Sequence, residues 1–337
     1  MSFGCKTWIK GGLVKLIRLL PAVLVFSLMG IGSQVFAQGN FPISPIRIVV
    51  AFPPGGSTDV FARLLAQKLS SQMGVSVLVE NKPGANGNIG NELVSRSAPD
   101  GHTLLFNTSA VVLAPALGEK LSYNVFTDLA PVARFSTVPL VLTVHPSLAA
   151  NNVKEFIAYL RANPGKLAYG SAGTGNITHL GNLMFLEANG LSALHVPYKG
   201  SSPALLDVVG GRLQFSTPTI VSAAPLVKSK RLRGVAVTSL NRAQLLPDIP
   251  SLNESAMPGF EVGAWYGVMA PAKTPAAILR KLNHEVLRVL QDPEAKSRLA
   301  DNGAELFGSA PEEYGAYMNS ELERWTKLIK SSGIKVD

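Results

Sequence analysis

Two loops of this chain carry residues suited to holding an anion through neutral donors. One is Phe52-Pro53-Pro54-Gly55-Gly56-Ser57-Thr58-Asp59, and the other is Ser171-Ala172-Gly173-Thr174-Gly175-Asn176-Ile177-Thr178. In both, glycines without a Cβ let a ligand approach the backbone, and hydroxyl or amide side chains stand just before an apolar helical pattern. Free N–H groups at a helix start, reinforced by the helix dipole, favour negative charge. Such donors replace the water around a carboxylate, whose uncompensated burial is costly. The stretches Gly84-Ala85-Asn86-Gly87 and Tyr198-Lys199-Gly200-Ser201 share this character, and Ser109 closes another apolar run. Lys199 is the cation placed to meet an anionic ligand. Taken singly, each Ser or Asn reads more readily as a turn former or cap than as a ligand contact. The first loop alone would suit phosphate as well as carboxylate, or be an ordinary βα turn.

Catalytic readings find little support. No Gly-Lys-Ser/Thr follows the glycines, as a nucleotide P-loop requires, and Gly173-Thr174-Gly175 lacks the third glycine of a dinucleotide fingerprint. A G-x-S-x-G nucleophile elbow is absent from the sequence. The five histidines, at positions 102, 145, 179, 195 and 284, show no metal-ligand spacing. Lone carboxylates such as Asp59, Asp207 and Asp248 have no sequence partner for acid–base work. Asp59 fits better as a stabiliser of a helix amino terminus. No cofactor, no metal and no enzymatic activity are expected.

The elements that must position these loops alternate between strands and helices. Residues 48–52 form a short apolar run, as in a strand covered on both faces. Ser57 or Thr58 is expected to cap the following helix, whose apolar positions are Val60, Phe61, Leu64, Leu65 and Leu69. Residues 75–80 and 102–107 read as further strands. The alternation predicts a parallel sheet with helices on both faces and a ligand beyond the carboxyl ends of its strands. A second series begins after residues 138–145, a crossing strand interrupted by Pro139. It runs through a helix ending at Asn163-Pro164-Gly165, strands at 167–170 and 233–238, and a helix at 203–209. Residues 265–271 read as the strand that crosses back, with Trp265 and Tyr266 as either an aromatic wall or hinge packing. Helices at 276–290, 293–300 and 311–330 then complete the first unit, and the stripe Tyr314, Tyr317, Leu322, Trp325, Leu328 and Ile329 reads as packing. The domains are accordingly placed at 45–142 with 264–337, and at 143–263.

Residues 1–37 have the layout of a secretory signal peptide. Lys6, Lys10, Lys15 and Arg18 precede an apolar stretch, and Val35 and Ala37 supply a small-residue site with cleavage expected after Ala37. A retained transmembrane anchor is the alternative, weakened by Pro21, Gly30, Gly32, Ser33 and Gln34 within the roughly 20 residues that spanning needs. Removing this segment lowers the formal net charge from +9 to +5. The single cysteine, Cys5, leaves with it, so disulfides and thiol chemistry are excluded from the exported chain. No basic run with interleaved aromatics points to nucleic acid.

Together these residues resemble the extracytoplasmic solute-binding proteins of the tripartite tricarboxylate transporter type, often called Bug receptors. The resemblance rests on the runs at 45–59, 80–90, 169–176, 195–200 (His-Val-Pro-Tyr-Lys-Gly) and 265–267 (Trp-Tyr-Gly), in this order. It implies an α/β, type II periplasmic-binding fold, with two α/β domains joined by crossing hinge strands and a ligand cleft between them. It also implies a periplasmic receptor, a monomer and not an enzyme, that captures a small carboxylate (a dicarboxylate, amino acid or aromatic acid). Delivery would be to the membrane subunits of a tripartite transporter. Carried over residue by residue, ligand binding falls on Phe52, Gly55, Gly56, Ser57, Asp59, Ala85, Asn86 and Ser109. From the second domain it falls on Ser171, Gly173, Thr174, Asn176, Tyr198, Lys199 and Ser216. This chain has Phe215-Ser216 where the family often has Phe-Asp, so an acidic group is missing and family specificities do not transfer. Two other readings share the sequence: a sensor presenting its ligand to a membrane kinase, and an exported enzyme acting on a small carboxylate.

Overall fold

The computed structural model describes Met1 and residues 41–332. The expected signal segment and its cleavage site therefore lie, Met1 apart, outside the described residues. The chain begins with strand β1 (Ile46–Val50), helix α1 (Ser57–Met73) and strand β2 (Val77–Asn81). A 3-10 turn at Ala85–Gly87 leads into α2 (Asn88–Ser95), followed by β3 (Thr103–Thr108), α3 (Ala110–Ala116) and α4 (Val125–Asp128). The long strand β4 (Leu129–Pro139) and the short β5 (Val141–Val144) come next. Then follow α5 (Val153–Ala162), β6 (Ala168–Ser171), α6 (Ile177–Ala188), β7 (Leu194–Pro197) and α7 (Ser201–Val209). Strand β8 (Phe215–Ser216), α8 (Ile220–Lys228), β9 (Arg233–Val237) and α9 (Leu252–Ser255) precede β10 (Gly263–Pro271). The chain closes with α10 (Ala276–Gln291), α11 (Pro293–Ala300), β11 (Glu305–Leu306) and α12 (Pro311–Ser332).

The strands form two sheets. In the first the order is β11-β4-β10-β3-β1-β2, and in the second it is β7-β6-β8-β5-β9. Strand β1 runs parallel to β2 and β3, so the loops after all three open on one edge. Strand β6 is likewise parallel to β7 and β8. Burial follows the apolar runs: Ile46, Ile48, Val49 and Val50 are wholly inaccessible. An aromatic cluster fills the first unit, with Phe61 edge-on to Tyr266 at 5.2 Å and Phe106 edge-on to Phe135 at 5.3 Å. Each such pair adds about 0.5–1.5 kcal/mol beyond its buried area.

The chain passes between the sheets at Leu140 and returns at Val262–Gly263, because β4 and β10 pair in the first sheet and β5 and β9 in the second. The stretch expected as one strand at 138–145 is therefore the end of one strand and the whole of another. Thr238 ties the two passages together. Its Oγ1 accepts from the Leu140 N–H (2.8 Å) and donates to the Val262 carbonyl, while its backbone bonds both residues. Strand β4 starts at Leu129, well before the expected position, since Pro131 and Pro139 conceal it in the sequence. At the far end, the Trp265 and Trp325 indoles both donate to Glu321 Oε2, which locks α12 onto β10. Tyr314 and Trp325 are buried there, as the packing stripe predicts.

Candidate functional site

The first loop is shaped by the short β1. That strand ends at Val50, and Pro53 and Pro54 cannot extend a ladder. Gly56 takes the N-cap position of α1 with an extended backbone and no side-chain cap. This corrects the expectation that Ser57 or Thr58 caps the helix. Ser57 instead shares a hydrogen bond with the Tyr266 hydroxyl (2.6 Å) and accepts one from Thr219 (3.2 Å). The N–H groups of Gly56, Ser57 and Thr58 meet no acceptor among the described residues. Asp59 turns back into the loop, accepting from the Gly55 N–H and from Asn81 at 3.0 Å each and pairing with Arg63. Burial works against its charge, but the bonds from Arg63, Gly55 and Asn81 outweigh that and lower its pKa.

The second loop follows β6. Asn176 caps α6 by accepting from the Thr178 N–H (3.1 Å), and Thr178 Oγ1 accepts from the Ala172 N–H (2.8 Å). Ser171 Oγ bonds His195 Nε2 (2.7 Å), and the Gly175 N–H donates to His179 Nδ1 (3.1 Å). The two imidazoles stack at 3.8 Å with Tyr169 beyond them. Burial pushes both histidine pKa values down to about 4, and for His179 the neighbouring His195 adds to this. A neutral, acceptor-bearing ring pair therefore holds this loop from below.

The loops face each other across a closed cleft. Asn176 Nδ2 donates to Asn86 Oδ1 at 3.0 Å, joining the two units. Gly200 lies against Pro53 so closely that a Cβ would stand 3.3 Å from its ring. Beside these contacts is a cavity of about 50 Å³. Its walls are the starts of α1 (Gly56, Ser57, Thr58), α6 (Asn176, Ile177, Thr178), α7 (Ser201, Ser202) and α8 (Thr219), with Phe52, Thr108 and Tyr266. Four helix amino termini thus converge on one cavity with no formal charge in its lining. Phe52 also borders an outer chamber of about 270 Å³, reached by Ala85, Asn86, Glu119, Thr174, Tyr198 and Lys199.

Residues 61–334 match the model of the tripartite tricarboxylate transporter family receptor. This chain belongs to that family. The BugT protein of Bordetella pertussis is 34% identical over 322 residues, covering 95% of this chain and 98% of its own. An R. palustris protein solved with adipate superposes with a TM-score of 0.85 at 33% identity, covering 88% of this chain and 99% of its own. A Rhodopseudomonas palustris protein with bound malate gives 0.81 at 31%, over 86% and 100%. The fold is thus the periplasmic-binding fold expected, with two α/β units on crossing strands. The family and these neighbours are binding proteins, and the family's receptors are periplasmic.

Within this receptor the predicted residues separate into two sets. Phe52, Gly56, Ser57 and Asn176 line the inner cavity, and Ala85, Asn86, Gly173, Thr174, Tyr198 and Lys199 line the outer chamber. Gly55 and Asp59 are bonded to each other and line neither. Ser171 serves its own loop and His195, and Ser216 donates to the Gly170 carbonyl (3.0 Å) inside the sheet. Ser109 is wholly buried, its hydroxyl without a partner among the described residues. Trp265 is core packing, whereas Tyr266 reaches the cleft. The Tyr198 hydroxyl is bonded to Asp207, which Arg212 also grips. Thr219 and Glu119 were not singled out by sequence. Pro218-Thr219 before an apolar run is a helix-start signal that points to the former, and nothing local marks the latter.

Proposed function

We propose that this receptor captures a small carboxylate in the inner cavity, between units that close about the Leu140 and Val262 passages, and delivers it to the membrane subunits of a tripartite transporter. The observation that carries the reading is the convergence of four helix starts on a cavity without a charged lining. The free N–H groups of Gly56, Ser57 and Thr58 offer one carboxylate the donors that burial demands, and Ser201 and Thr219 face them from the second unit. Adipate and malate in the neighbours agree with this chemistry. We take the two lobes as residues 45–142 with 264–337, and residues 143–263.

The test is a thermal-shift screen of the purified protein against mono-, di- and tricarboxylates, followed by Gly56→Val. A ligand at 100 times its dissociation constant adds about 2.7 kcal/mol of stability. Gly56 has an ordinary backbone, and an added Cβ meets only the Pro53 carbonyl at 3.9 Å, so the variant folds. Its side chain covers the donors, and affinity falls by about a hundredfold or more. Unaltered affinity, or silence across the panel, refutes the assignment.

A further inference from the structure

The outer chamber contains a carboxylate that the carboxylate reading leaves without a purpose. Glu119 follows α3, is about half-buried at the seam between the units, and has no cationic partner among the described residues. One of its oxygens lies 3.6 Å from where a Cβ on Gly175 of the opposite unit would stand. A polar chain from the core fixes its other oxygen. Asn91 Nδ2 donates to the Tyr123 hydroxyl (3.0 Å), which donates to Asn88 Oδ1 (3.0 Å), whose amide donates to Glu119 Oε2 (3.2 Å). Asn91 and Tyr123 are buried, so this relay is a rigid support and not a surface contact. Burial raises the Glu119 pKa, as expected for a carboxylate lacking a counter-ion.

We propose that Glu119 makes the outer chamber a selectivity site for ligands whose far end carries an ammonium group, and disfavours a second carboxylate. The inference rests on the carboxylate reading above: one end of the ligand sits on the helix starts, and the chain beyond it passes Phe52 into the chamber. A carboxylate brought beside Glu119 in a closed cleft meets like charge at low dielectric, whereas an ammonium supplies the missing counter-ion. Lys199 borders the same chamber but is exposed, and its hydrated charge on a flexible stem weighs less than a fixed, partly buried one. The chain would thereby differ from the neighbours solved with adipate and malate.

The experiment is calorimetric titration of wild type and Glu119→Gln with three ligand series of matched length: ω-amino carboxylates, dicarboxylates and unsubstituted monocarboxylates. Gln keeps an acceptor for Asn88 and removes the charge. Wild type is expected to bind the best ω-amino carboxylate about tenfold or more tighter than its dicarboxylate counterpart, with the ratio collapsing or inverting in Glu119→Gln. A merely structural role would weaken all three series together. A dicarboxylate bound more tightly by wild type, or a ratio that the substitution leaves unmoved, overturns the proposal while the carboxylate reading stands. Silence toward all three series overturns that reading and this one with it.

Discussion

Acidification should weaken this protein in a window set by its stacked histidines. His179 is buried, with a folded pKa of about 4 against an ordinary 6.5, because its charged form is poorly solvated and faces His195 at 3.8 Å. A histidine whose folded pKa is depressed contributes stability that is fully present above the unfolded pKa. That stability is lost as pH falls from 6.5 toward 4, where the folded form also takes the proton. For His179 alone the full span is about 3 kcal/mol, of which roughly 2 kcal/mol is already lost at pH 5. His195 adds a smaller amount, since its ring is only about half-buried. The carboxylates with lowered pKa values, Asp59 and Asp292 among them, act in the same direction but at lower pH, below their ordinary 3.8. The two contributions therefore separate along the pH axis. Urea unfolding from pH 7.5 downward, on wild type and His179→Gln, measures the difference. Gln retains an acceptor for the Gly175 N–H and cannot titrate, so the variant should lose markedly less stability between pH 6.5 and 4.5. Identical slopes for the two proteins, or an imidazole titration by NMR close to the ordinary 6.5, would refute the reasoning.

Two further expectations concern the frame and the closure. Glu321→Ala leaves the buried Trp265 and Trp325 N–H groups without their shared acceptor, and should cost about 2–4 kcal/mol in urea unfolding, with a change in tryptophan emission. Glu321→Gln, which keeps an acceptor, should recover much of it. Asn176→Ala removes both the α6 cap and the bond to Asn86. A stability loss of about 1 kcal/mol, typical of a cap, should accompany faster ligand release in stopped-flow measurements, because the closed form has lost a contact that the open form never had.

Much of the frame was legible because local signals and tertiary packing agree. Apolar runs at β1 and β3 mark buried strands, Gly74 in the left-handed region ends α1, and the aromatic stripe of α12 meets β4 and β10. Where they conflict the sequence misleads. Pro131 and Pro139 speak against strand, yet β4 runs through Pro131, beside a register shift against β10, and ends at Pro139.

The site divides in the same way. Sequence alone determined that glycine, hydroxyl and amide residues stand at helix starts, where such donors suit an anion. It could not assign each hydrogen-bonding group to its partner. The fold bonds the Gly55 N–H to Asp59 and sets Ser171 against His195, which arrives from a neighbouring strand. Thr219 and Glu119 reach the cleft from elements distant in sequence. A residue's type sets which bonds it can make. Only the tertiary structure decides which of those bonds the protein keeps for itself and which it leaves open to a ligand, since most are made across long stretches of chain.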